Sequence, residues 1–184
     1  MWKTGSWEEI RLDWLRPDAW TAIISPDGRL AAIGYQTGEI ELRSFPDGHL
    51  VRTLPGHPSR VQDSRFSPDG RRLASAGLDD SAKVWEVRSG RELMTLRAHF
   101  THTVSVAFSS DGQRLAVSGY GGTTLLWDLV TGRELLTLGK VFGGHLAFSS
   151  DGSTLLELEN EGTDFWRAPS WQEIAAKESA ASGP

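Results

Sequence analysis

The sequence predicts an all-β fold of about four small antiparallel sheets, from two periodic series of turns and the apolar runs between them. Ser25-Pro26-Asp27-Gly28, Ser67-Pro68-Asp69-Gly70, Ser109-Ser110-Asp111-Gly112 and Ser149-Ser150-Asp151-Gly152 place their glycines 42, 42 and 40 residues apart. Proline presets φ at the second turn position, aspartate suits the third, and glycine tolerates the positive φ that closes a hairpin. Gly48, Gly90 and Gly132 form a second series at intervals of 42.

The strands follow from these turns. Ile24, Phe66, Phe108 and Phe148 stand just before the first series, and Leu30, Leu73, Leu115 and Leu155 just after it. The second series leads into the runs 50–54, 93–96 and 135–138. Further turn signals at Leu78-Asp79-Asp80 and Tyr120-Gly121-Gly122 complete the period. Each period therefore holds four short strands separated by turns about ten residues apart, which makes one four-stranded sheet. The strands lack clean inside/outside alternation, as expected of sheets stacked radially with both faces covered.

A period of about 42, with Gly56-His57 opening a repeat and Trp85-Glu86 or Trp127-Asp128 in its third strand, resembles the WD-repeat β-propeller family. His57 to Trp85 and His99 to Trp127 both span 28 residues. The resemblance covers roughly residues 19–169 and implies blades pinned by a His, Ser, Asp and Trp network. The matching positions are His57, Ser75, Asp79 and Trp85 in the second repeat. The third keeps His99 and Trp127 but has Val117 and Gly121 in place of serine and aspartate. The first has Arg43 at the tryptophan position, and the fourth has Trp166 but Gly139-Lys140 where Gly-His would fall.

Family propellers most often have seven blades, whereas this length gives about four. The expected layout is a partial blade or clasp strand at 1–18, blades at 19–57, 58–99, 100–139 and 140–176, and a flexible tail at 177–184. Ser6-Trp7-Glu8-Glu9-Ile10 and Ser170-Trp171-Gln172-Glu173-Ile174 both resemble the opening of a fourth strand. Either could instead begin a helix, because Ser6 with Glu9 and Ser170 with Glu173 fit a capping box. The propeller is expected to be a small ring, or an incomplete arc that self-associates or takes blades from another chain.

With 39% apolar and 23% charged residues the composition is that of a globular domain. No apolar run reaches the roughly 18 to 20 residues of a membrane helix, and the N-terminus does not read as a secretory signal, so a cytoplasmic location is expected. No cysteine is present to form a disulfide or thiolate metal site, and a net charge of −5 argues against nucleic acid as a partner.

Chemistry is sparse. Ser75, His57 and Asp79 have the residue types of a hydrolase triad, but Gly-x-Ser-x-Gly is missing and the resemblance places all three inside a blade. His99 and His102 lack supporting metal ligands, and Gly139-Lys140 lacks the rest of a phosphate loop. No catalytic residue, cofactor or metal is assigned. The candidate partner-binding residues are Arg60, Asp80, Phe100, His102 and Tyr120, on loops that the resemblance gathers on one rim; Trp20 and Phe142 enter their repeats at comparable points. Arg, Tyr and Trp are the residue types that dominate interface energies. The expected function is a non-catalytic scaffold for a protein partner. The alternative is a C-terminal portion of a larger regulatory protein whose effector, such as a kinase or protease, lies outside this chain.

Overall fold

The structure, a computed structural model, describes residues 12–97, 101–120, 122–141, 144–158 and 163–167. Every described sheet is antiparallel with its strands in chain order. Blade 1 is β1 (Ala19–Ile24), β2 (Leu30–Tyr35), β3 (Ile40–Ser44) and β4 (Leu50–Leu54). Blade 2 is β5 (Val61–Phe66), β6 (Arg72–Gly77), β7 (Ser81–Glu86) and β8 (Glu92–Arg97). Blade 3 is β9 (Thr101–Phe108), β10 (Arg114–Tyr120), β11 (Gly122–Asp128) and β12 (Arg133–Val141), so β12 runs past residue 139. Blade 4 has three described strands, β13 (His145–Phe148), β14 (Thr154–Leu158) and β15 (Thr163–Arg167). The segments expected as a clasp strand up to residue 11, as a fourth strand at 171–176 and as a tail at 177–184 lie outside the described residues.

The first strands neighbour one another, β1 with β5, β5 with β9 and β9 with β13, and so line the inner edge of an arc of blades. Antiparallel order then sends the β1–β2 and β3–β4 turns to one rim. The β2–β3 hairpins and the loops between blades go to the other rim.

The recurrent turn works the same way four times. Ser25, Ser67, Ser109 and Ser149 donate their hydroxyls to Asp27, Asp69, Asp111 and Asp151 at 2.5–2.6 Å, and accept the backbone N–H of Leu30, Arg72, Arg114 and Thr154 at 2.9 Å. The serine matters as much as the proline, which two of the turns lack. Pairing also corrects one alignment: Ile24 faces Ala31, as Phe66 faces Leu73, so the counterpart of Leu73 is Ala31 and not Leu30.

Blades meet through apolar faces. Ala32, Leu42 and Leu54 of blade 1 pack on Leu73 and Trp85 of blade 2; Val84 and Leu96 of blade 2 pack on Leu115, Val117 and Leu125 of blade 3. The two ends of the arc differ. Phe165 holds the register of Leu42 and Val84, which are 0% and 1% exposed, yet it is 65% exposed, and Leu158 beside it is 51% exposed. The forward face of blade 4 is therefore open. The rearward face of blade 1 is covered by the segment before β1, where Trp14 packs with Ala31, Ile33, Tyr35 and Phe45.

Candidate functional site

Blade 2 holds a four-residue network. His57 Nε2 lies 2.8 Å from Ser75 Oγ and its Nδ1 2.9 Å from Asp79 Oδ1, while Trp85 Nε1 donates to Ser75 Oγ at 2.9 Å. Gly77 makes room for it, since a Cβ there would strike the imidazole. Burial opposes ionisation of Asp79, but hydrogen bonds from His57 and Ser81 outweigh it and hold the carboxyl below its usual range. One proton arrangement satisfies every group: Nδ1–H to Asp79, Ser75 O–H to Nε2, and the indole N–H to Ser75. Ser75 and Trp85 have no exposure, and neither has the His57 side chain. This triad of hydrolase types is closed to substrate and ties strands together.

Among the described residues the other blades show no such network. Trp127 Nε1 is buried and has no partner, opposite Val117 where blade 2 has serine. His99 and Phe100 lie outside the described residues, as does Phe142. In blade 4 the serine position carries Glu157, fully buried, which accepts Gly144 N–H at 2.9 Å and the Thr124 hydroxyl of blade 3 at 2.5 Å.

A second linkage, not anticipated from the sequence, runs along the inner strands. Asp63 accepts the Ser105 hydroxyl at 2.8 Å, and Ser105 Oγ accepts Leu146 N–H at 3.2 Å, joining blades 2, 3 and 4. Burial pushes the Asp63 carboxyl up despite Arg65 beside it.

Blade 1 replaces tryptophan with Arg43, and the reason lies on its rearward face. Glu41, 5% exposed, accepts from Arg43 Nε at 2.7 Å and from the Tyr35 hydroxyl at 2.6 Å. Arg16 lies 3.9 Å over the Tyr35 ring, and Trp14 donates to the Pro46 carbonyl at 3.2 Å. Trp14 thereby resembles Arg52 of blade 1, which donates at 3.2 Å to the carbonyl of Arg88, the residue 42 positions after Pro46. Burial, with Glu41 adjacent, pushes the Tyr35 phenol up to about 12.

The candidate rim is the one carrying the β2–β3 hairpins. Asp80 (φ 64°) takes the left-handed position that Gly38 (φ 92°) takes in blade 1, and His102, opening blade 3, is also left-handed (φ 57°). Glycine adopts that conformation freely; aspartate and histidine do so more often than most other residues, but at a cost. Asp80 Oδ1 accepts His102 N–H at 2.6 Å, and His102 Nδ1 donates to the Leu78 carbonyl at 3.2 Å. The His102 ring stands edge-on to Tyr120, 6.5 Å between centroids. Asp80, His102 and Tyr120 thus form one cluster with about half of each side chain exposed. Arg60 is apart from it, its guanidinium 3.8 Å above the ring of Trp20, a partner from blade 1 that is itself 47% exposed.

Between blades 3 and 4 lies a cleft of about 340 Å³ lined by Leu126, Leu136, Leu138, Phe148, Phe165 and Trp166 among others. Among the described residues no group of His, Asp and Glu is placed to hold a metal ion.

Residues 48–86 and 90–128 match the family model described as WD domain, G-beta repeat. Each match starts at a β3–β4 hairpin glycine and ends in the next blade's third strand, so the sequence repeat straddles two blades. A comparison with curated proteins finds no match. WD repeats generally mediate protein–protein interaction and their proteins are typically non-catalytic. Two matched repeats and four sheets on one plan support a WD-repeat family for this chain.

Proposed function

We propose that this chain is a non-catalytic scaffold, cytoplasmic in location, that docks a partner polypeptide on the rim formed by Trp20, Arg60, Asp80, His102 and Tyr120. The observation that carries this reading is the Asp80–His102 pair. Two non-glycine residues from different blades hold left-handed backbone, at a cost of about 1 to 2 kcal/mol each, and their contacts gather a half-exposed cluster with Tyr120. Strained backbone concentrates at functional sites. The test is site-specific photo-cross-linking in cells. A cross-linker at Tyr120 should trap a discrete partner, and one at Val130, on the opposite rim and 73% exposed, should not. The reverse pattern would move the docking face to the other rim.

A second reading takes this chain as one arc of a larger propeller in a regulatory protein that carries a separate effector. The open forward face of blade 4 favours it. An adjoining reading frame encoding about three further repeats would decide for it.

A further inference from the structure

We propose that Arg60 and Trp20 form a subsite for an anionic side chain of the docked partner; the inference rests on the rim reading and names what that rim selects. The guanidinium carbon lies over the indole, 3.8 Å from the ring centroid, yet Nε is buried without an acceptor, and no ion pair neutralises the group among the described residues. Three carboxylates at the rim have partners of their own. Asp18 is held by Arg16 at 2.9 Å, Asp79 by His57 and Ser81, and Asp80 by the His102 N–H. Arg60 is thus a cation left over after the rim has paired its own charges.

Stacking fixes the plane of the guanidinium and leaves its N–H edge as the binding element. That edge matches a carboxylate or a phosphate ester in two parallel hydrogen bonds. The exposed indole supplies an apolar floor for the neighbouring residue of the same peptide. The expected ligand is an extended peptide with an acidic or phosphorylated residue beside an apolar one.

The net charge of −5 makes the prediction discriminating, because long-range attraction would draw basic peptides instead.

The test uses the full chain and a positional-scanning library of fluorescein-labelled peptides, each fixing Glu, phosphoserine, Gln or Lys beside Phe. Fluorescence anisotropy should show the Glu or phosphoserine pools binding at least ten-fold tighter than the Gln and Lys pools, and the two acidic pools separate a carboxylate ligand from a phosphate. Arg60→Gln should abolish that preference, Arg60→Lys should keep part of it, and Trp20→Ala should weaken all pools. Circular dichroism and melting temperature serve as the check on folding. No acidic enrichment, or a preference that survives Arg60→Gln, overturns the proposal. If that happens while the cross-linker at Tyr120 still traps a partner, the rim reading stands and only this subsite falls.

Discussion

Asp80 and His102 belong to different blades, share the left-handed backbone conformation, and are joined by a carboxylate-to-amide hydrogen bond of 2.6 Å. Each strained residue thus depends on a neighbouring blade. Asp80→Ala keeps the strain and loses the bond, whereas Asp80→Gly loses both. Alanine is expected to cost about 2 kcal/mol of unfolding free energy, glycine about 1 kcal/mol or less. Urea denaturation of the two variants checks the order, and equal losses would mean that the left-handed backbone is not what Asp80 contributes.

The blade 2 network gives a second expectation. Trp85→Ala removes a fully buried aromatic and should cost about 3 to 5 kcal/mol. Ser75→Ala and His57→Ala leave buried polar partners unsatisfied, at about 1 to 3 kcal/mol each. Because the three share one hydrogen-bond chain, the Ser75/His57 double variant should lose less than the sum. Esterase turnover that disappeared in a folded Ser75→Ala protein would contradict this structural role.

The pH dependence follows from the carboxylates. Hydrogen bonds from Ser25, Ser109 and Ser149 hold Asp27, Asp111 and Asp151 below the usual range, Asp151 at about 2, and Asp69 is held down likewise by Ser67. Asp79 is also lowered, its hydrogen bonds outweighing burial. These folded values lie below the unfolded ones, so the stability they give is present above about pH 4 and is lost as pH falls toward 2. Asp63 has the opposite sign: burial raises it, so its ionisation detracts from stability as pH rises through its folded value. Urea midpoints from pH 7 to 2 should show an acid limb that Asp111→Asn flattens and Asp63→Asn does not.

On blade 1, Glu41→Leu should strand the Arg43 guanidinium and the Tyr35 hydroxyl, costing about 3 kcal/mol, whereas Tyr35→Phe should cost about 1 kcal/mol. Chemical denaturation measures both. A stabilised Glu41→Leu protein would mean that this face prefers an apolar covering.

The apolar forward face of blade 4 should bind a hydrophobic dye, since exposed patches of this kind capture apolar ligands. Leu158→Asp with Phe165→Asp should reduce the dye fluorescence of folded protein, and Leu50→Asp on β4 should not.

Much of the fold was legible because a single motif, Ser-x-Asp-Gly, fixes a turn by local chemistry and recurs at a constant interval. The register of Arg43 with Trp85 was legible for the same reason. Its meaning was not: Arg43 read as a missing tryptophan, while its partners Glu41 and Tyr35 looked like ordinary strand residues and Trp14 stands outside the repeat. The rim was half legible. Equal spacing marks Arg60 and His102 as counterparts, but Trp20 and Asp80 reach them from the preceding blade, and only the packing of one blade on another brings such pairs together. Nothing in the sequence singles out Asp63, whose partner Ser105 lies 42 positions away on β9.

The unlike ends of the arc set a direction for any assembly built from it. Heterologous contact, the front of one unit on the back of the next, produces filaments when it does not close. A second unit arriving at blade 1 would have to displace Trp14 and bury the Glu41 and Arg43 charges against an apolar surface. Stacking on that side therefore carries a cost that the blade 4 face, with Leu158 and Phe165 already exposed, does not.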